Sequence, residues 1–243
     1  MPSTRAHHGF RGLLLVLALA PGLASADSAP AASEPQALSP FSATYTAAVE
    51  KGLALNGSGT RKLTDSGNGV WLYQTDVSSF VADIHESLVL KWEDDRVIPI
   101  TYRYRLSGLF IRDRSETIDF DWSAGVATGE AKGKAFRLPL KPGTLDPLGY
   151  QLQLRQDLRR GKRDVTYQVI DHGKYDDTRF AVVDDPAGDS GLVKAEKVRE
   201  ADAKRQTYLW FDPERAFLLM RLLQVEPDGE RYELRLKDAQ LGR

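Results

Sequence analysis

The chain has 243 residues, with 33 basic against 34 acidic side chains and no cysteine. Near-neutral charge with interspersed signs is unlike a nucleic-acid binder, whose footprint is a strong basic bias, so no nucleic-acid partner is expected. Without disulfides the fold must be held by its core, which a chain of this length can build as one β-rich domain.

The first feature in chain order is an export signal. Arg5 and Arg11 flank the start of an apolar run at 13–20, Pro21-Gly22 breaks it, and Ala24-Ser25-Ala26 offers a small-x-small cleavage site. The run is too short for a permanent membrane span, and no cysteine follows that could carry a lipid anchor. The expectation is a periplasmic, soluble, non-lipidated monomer, cleaved after Ala26 and without an integral membrane segment. Residues 27–40, DSAPAASEPQALSP, are small, polar and proline-rich and read as a disordered leader.

From 41 to 243 a single domain of strands and turns is expected. The turns are marked by GNG (67–69), EDDR (93–96), SAG (123–125), DHGK (171–174) and EPDG (226–229). Between them the side chains alternate. Phe80, Ile84, Leu88, Leu90 and Trp92 share one face, with Asp83, His85, Ser87 and Lys91 opposite. Ile98, Ile100, Tyr102, Tyr104 and Leu106 share the next, with Thr101, Arg103 and Arg105 opposite. Ile118, Phe120 and Trp122 repeat the pattern and leave Asp119 and Asp121 in water. One face buried and one wet is the signature of antiparallel sheet. About a dozen such strands predict a mainly β fold, a large curled antiparallel sheet forming an incomplete barrel.

Residues 143–162 break the alternation. The spacing predicts one amphipathic helix over about 146–160, with Asp146 capping its first amides and Pro147 at the first position. Leu148, Leu152, Leu154 and Leu158 give it an apolar face, with Gln153, Gln156 and Asp157 opposite. Arg159 and Arg160 suit its C-terminal end and Gly161 its left-handed stop. Such a helix needs an apolar surface, and the concave face of the sheet supplies one. Residues 216–226 can be read as strand or helix. A turn at 212–216 followed by a strand covered on both faces is the preferred reading.

The export signal, FSATYTA (41–47), IPITYRYR (98–105), the helix segment GTLDPLGYQLQLRQDLRRG (143–161) and YLWFDPE (208–214) together resemble the DUF3108 family. These are uncharacterised periplasmic proteins of Gram-negative bacteria, and the likeness runs over 41–238. The resemblance implies a β-rich incomplete barrel, similar in outline to periplasmic lipoprotein-carrier proteins. It implies no activity, cofactor or catalytic residue.

Candidate sites are few. Gly188-Asp189-Ser190-Gly191 resembles a serine-protease nucleophile loop, and that chemistry needs a histidine and an acid beside the serine. Beyond the signal only His85 and His172 occur, one on a wet strand face and one in a turn, so a hydrolase using Ser190 is a distant alternative. Clustered metal ligands are absent from the sequence pattern, and no metal or cofactor is expected. Trp92, Tyr102, Tyr104, Phe120, Trp122, Leu148, Leu152 and Trp210 point inward by pattern, as core or as the wall of a cavity for an acyl chain or apolar peptide. Arg103, Arg105, Arg155 and Arg159, with Arg112, Arg114 and Arg160, could form a docking face for an acidic partner or lipid headgroup.

The function expected is non-enzymatic binding, either of an envelope protein during assembly or secretion or of a hydrophobic ligand. A lipid or acyl carrier is the alternative, and it needs a mobile helix over an empty apolar space. A protein-binding scaffold needs a filled interior, with recognition at strand edges or the arginine face.

Overall fold

The computed structural model describes residues 37–51, 53–80, 82–109, 112–185, 191–198 and 205–242. The expected signal peptide, the leader up to residue 36 and Ser190 lie outside these residues. Eight strands come first: β1 Phe41–Lys51, β2 Leu53–Asp65, β3 Val70–Ser79, β4 Ala82–Glu93, β5 Arg96–Gly108, β6 Arg114–Asp121, β7 Val126–Ala131 and β8 Lys134–Pro139. The helix α1, Gly149–Arg159, follows. Six more strands complete the order: β9 Asp164–Asp171, β10 Lys174–Val183, β11 Val193–Val198, β12 Gln206–Asp212, β13 Leu218–Val225 and β14 Arg231–Leu241.

All fourteen strands form one antiparallel sheet in the order β8-β7-β6-β5-β4-β3-β2-β1-β14-β13-β12-β11-β10-β9. The pairing of β1 with β14 joins two meanders, and the ladder stays open between β8 and β9. Three of its hairpins turn on two residues that both have positive φ: Asp94-Asp95, Lys132-Gly133 and His172-Gly173. That is the type I′ geometry whose twist matches the flanking strands.

Alternation holds along most strands. Phe41, Ala43, Tyr45, Leu63, Tyr73, Leu88, Leu90, Ile118 and Phe120 are buried on the inner face. One stretch departs from the predicted parity. The β4–β5 register slips between Val89 and Leu90, opposite Thr101 and Pro99, so Ile100 is an extra residue. Upstream of this bulge Val97 and Pro99 point inward in place of Ile98 and Ile100, while Tyr102 stays buried. The leader reading also ends too late, because Leu38 is 6% exposed and Pro40 accepts a backbone hydrogen bond from Gly242. Asp212 caps a 3-10 turn at Pro213–Arg215, Ala216 and Phe217 take positive φ, and β13 then runs with both Leu218 and Leu219 buried. Residues 218–225 are thus strand.

The helix is shorter than predicted. Asp146 and Pro147 precede it in a turn, and Asp146 Oδ1 accepts from the amides of Leu148 and Gly149 at 2.9 Å each. Gly161 closes the other end at φ 78°, with its amide and that of Lys162 returned to Leu158 and Asp157. The larger correction concerns its environment. Gln153, Arg155, Gln156 and Asp157, predicted to be wet, are all buried with Leu152, Leu154 and Leu158. The sheet wraps far enough to enclose the helix on its polar side too.

Candidate functional site

A wrapped sheet with a helix inside raises the question of what space remains. Most of it is filled. Leu148, Leu152 and Leu154 are each no more than 1% exposed and join the core formed by Leu88, Leu90, Tyr102, Ile170 and Phe180. The polar side chains of the helix are anchored. Val97 N–H donates to Gln153 Oε1 at 2.8 Å, and Gln153 Nε2 donates to the Asp95 carbonyl. Asp157 Oδ2 accepts from the Tyr167 hydroxyl at 2.8 Å, and its Oδ1 accepts from Arg160 and Lys162. Arg155 donates to the Ala216 carbonyl and lies over the Phe41 ring. Burial pushes the Arg155 guanidinium down to about 10, which leaves it charged at neutral pH.

Beside the N-terminal end of the helix a cavity of about 370 Å³ stays open to solvent. Its walls are mixed, with Val77, Ile84, Val169, Leu222 and Leu234 beside a set of charged side chains. Arg61, only 5% exposed, donates to Thr75 Oγ1 and to Gln151 on the helix. Glu86 accepts from the Tyr102 hydroxyl at 2.7 Å. Burial raises the Glu86 carboxyl above its ordinary range, opposed by that hydrogen bond and by Arg61. Glu116 is buried, and its Oε2 lies 3.1 Å from His172 Nδ1 in the β9–β10 turn. Burial and the nearby charge of Asp171 raise Glu116, with His172 opposing them. Asp146, wholly buried, is pushed up to about 7 by burial against the pull of its two amide donors, and its Oδ2 has no partner.

The cavity sits next to the seam where the ends of the sheet approach. Leu145 makes a parallel bridge to Val169, exchanging backbone hydrogen bonds with Gln168 and Ile170 and covering part of the β9 edge. The Tyr175 hydroxyl donates to the Pro139 carbonyl at 2.7 Å, and a Cβ on Gly173 would meet the Phe136 ring at 3.0 Å. Side chains and one strap thus close the gap. The β8 strand keeps a backbone ladder on one side only, with β7. From 131 to 145 the chain carries Lys132, Lys134, Arg137 and Lys141 and no acid, and all four are exposed.

Of the residues predicted to line a cavity, Tyr102 and Tyr104 do so. Trp92, Phe120 and Trp122 pack on or in the core, the last two stacked at 6.2 Å, and Leu148 and Leu152 are deep within it. Trp210 is a correction. It shares a strand with inward Leu209 and Phe211 but faces the other way, under Arg221 and Lys194, with its indole N–H on Asp185 at 2.6 Å. It is buried by a cationic cover on the outer face.

The predicted arginine face also divides. Arg103 and Arg105 are exposed, Arg103 in an ion pair with Asp119 at 2.7 Å. Arg155 is 7% exposed and cannot dock anything, and Arg159 is half-buried against Gln156. His85 pairs with Asp76 at 2.7 Å on the wet face. The groups that pattern reading missed are Arg61, Glu86 and Glu116. Each sits at an inward parity, Glu86 between Ile84 and Leu88 and Glu116 just before Ile118. A charge in register with an apolar face is the signal that marks them.

The architecture is that of an open antiparallel sheet wrapped around a buried helix. The chain belongs to the DUF3108 family, described as a protein of unknown function, whose pattern matches residues 55–237. A similar solved structure is the beta-barrel-like protein of domain of unknown function DUF1849 from Brucella abortus. The two share 12% identity over 85% of this chain and 99% of that one, with a TM-score of 0.54, a likeness of fold. No curated protein matches. Among the described residues no helix is long and apolar enough to cross a membrane.

Proposed function

We propose that this chain is an exported, non-enzymatic binding protein of the cell envelope that engages a protein partner through the basic β7–β8 edge. The observation that carries this reading is the filled interior. A carrier needs an empty apolar chamber, and here the apolar face of the helix is packed into the core, its ends are hydrogen-bonded, and the cavities of about 520 and 370 Å³ at its two ends are open to solvent and lined in large part by charged side chains. Recognition then falls to the outside. The β8 strand is unpaired on one side and bears Lys132, Lys134, Arg137 and Lys141 around it. Because Tyr175 and Gly173 sit against Pro139 and Phe136 on that edge, an acidic segment would lie across the exposed cations rather than extend the ladder, with charge complementarity for selection. The export signal of residues 1–26 supports a periplasmic site of action.

The test is photo-crosslinking in exporting cells from Ala135, with Lys237 on β14 as the control position. A discrete adduct from 135 alone, lost when Lys134→Glu and Arg137→Glu are combined, is expected. Equal adducts from both positions, or adducts indifferent to charge reversal, would discard the edge. Native mass spectrometry of the gently released protein adds a second check, since a reproducible lipid-mass adduct would restore the carrier.

A further inference from the structure

We propose that Glu116, Asp171 and His172 form a binding site for a divalent transition-metal ion at the seam of the sheet, with Zn²⁺ the ion whose geometry fits. This inference is independent of the partner reading. One ligand atom from each residue lies within 4.8 Å of the other two. The imidazole Nδ1 is 3.1 Å from Glu116 Oε2 and 3.6 Å from Asp171 Oδ1. A tetrahedral ion about 2.1 Å from each donor sets its ligand atoms about 3.4 Å apart, between those two distances. One imidazole with two carboxylates is a donor set suited to zinc and its first-row neighbours.

The second observation is independent of that spacing. The Glu116 side chain is only 5% exposed, and its other oxygen, Oε1, is buried without any hydrogen-bond partner. Leaving a carboxylate oxygen dry and unpaired is costly, and an ion bound by both Glu116 oxygens removes the cost. A bare ion pair with protonated His172 accounts for less. A single proton on Nδ1 serves one carboxylate well, and leaves Glu116 Oε1 unpaired.

The backbone supports the same reading. Glu116 stands on β6, Asp171 ends β9 and His172 opens the β9–β10 turn, so the ligands come from opposite ends of the open sheet. His172 is held at φ 53° in a two-residue turn, so its ring is placed by the hairpin and not by a free loop. An ion here would tie β6 to the β9–β10 hairpin across the gap that no ladder closes. Its remaining coordination position would face the cavity.

The experiment uses untagged, chelator-stripped full chain titrated with Zn²⁺ alone, read by calorimetry, native mass and thermal melting. One saturable equivalent and a rise in melting temperature are expected, as for any ligand of the native state. Glu116→Gln keeps the side-chain size, and His172→Asn suits a positive φ. Either should weaken binding at least tenfold and abolish the thermal shift. Asp171→Asn, at a side chain 41% exposed, gives the same readout without touching the core. His85→Asn should leave binding unchanged. Absence of a saturable equivalent, binding that survives the seam substitutions, or binding lost with His85 would each overturn the site.

Discussion

Two buried aspartates on the helix segment make an instructive contrast. Asp157, near the C-terminal end, has both oxygens occupied, Oδ2 by the Tyr167 hydroxyl and Oδ1 by Arg160, Lys162 and Gln153. Asp146, at the N-terminal end, has two amides on Oδ1 and nothing on Oδ2. At one end the carboxylate is fully paired between the helix, the β4–β5 turn and β9, although Arg160 Nε beside it is buried without a partner and a cavity of about 520 Å³ opens there. The other end is electrostatically unfinished and lies among the raised carboxyls beside the smaller cavity. A fold can absorb such incompleteness where packing over-determines the geometry, and functional sites collect where it does. The contrast thus separates a carboxylate whose partners secure the helix from one that the fold leaves half-satisfied.

The strongest way to break that contrast is to remove the core that both ends share. Leu152 is 1% exposed and packed inside the wrapped sheet. Leu152→Asp would place an unpaired charge there, at a cost of more than about 5 kcal/mol, comparable to the whole stability of a domain. The expected outcome is an unfolded or protease-sensitive chain. A cooperative melt at the wild-type temperature would show that the helix is not a structural plug.

A smaller effect isolates the paired end. Asp157→Ala deprives the buried Tyr167 hydroxyl of its acceptor and Arg160 of one of its two carboxylates, the other being Asp95 at 2.9 Å. Breaking one partner of a buried charged network costs about 3–5 kcal/mol. Chemical denaturation should report a loss of that order with an unchanged slope. A loss under about 1 kcal/mol would mean that water substitutes for the carboxylate and that the pairing is nominal.

How far the sequence discloses these features depends on the range over which each is specified. The strands, the type I′ turns and the helix stop at Gly161 are local, and period and turn chemistry display them. The helix's buried polar side is not local. Gln153 reads as wet until Asp95 and Val97 arrive from another strand, some 56–58 residues away in sequence, to satisfy it. Parity reading fails at Ile98 and Ile100 because a bulge is a property of two strands together. It fails at Trp210 because an aromatic ring can be buried from outside by Arg221 and Lys194. The seam cluster is equally non-local, since His172 reads as an isolated turn residue until the wrapped sheet brings Glu116, 56 residues away in sequence, to it. What the sequence did display there was the oddity of Glu116 in line with Ile118 and Phe120.

A pH-dependent effect sharpens the unfinished end. Burial raises Asp146 to about 7, whereas an unfolded aspartate titrates near 3.9. Between about pH 4 and about pH 7 the folded state therefore holds a proton that the unfolded chain has released, so this group's contribution falls as pH rises. Above about pH 7 both states are ionised and the slope vanishes. Asp146→Asn keeps an oxygen for the amides of Leu148 and Gly149, because asparagine caps as well as aspartate, and it cannot ionise. Melting-temperature differences between wild type and this variant should therefore shift in the variant's favour as pH rises through that window, then level off. Glu116 is raised in the same direction and is common to both proteins, while Glu86, whose charge repels Asp146, is relieved in the variant and adds to the difference with the same sign. A difference that is flat with pH would mean that Asp146 keeps an ordinary carboxyl and that its vacant oxygen is solvated. A difference moving in wild type's favour would mean that the charged form is the stabilised one, as a cation bound beside it would make it.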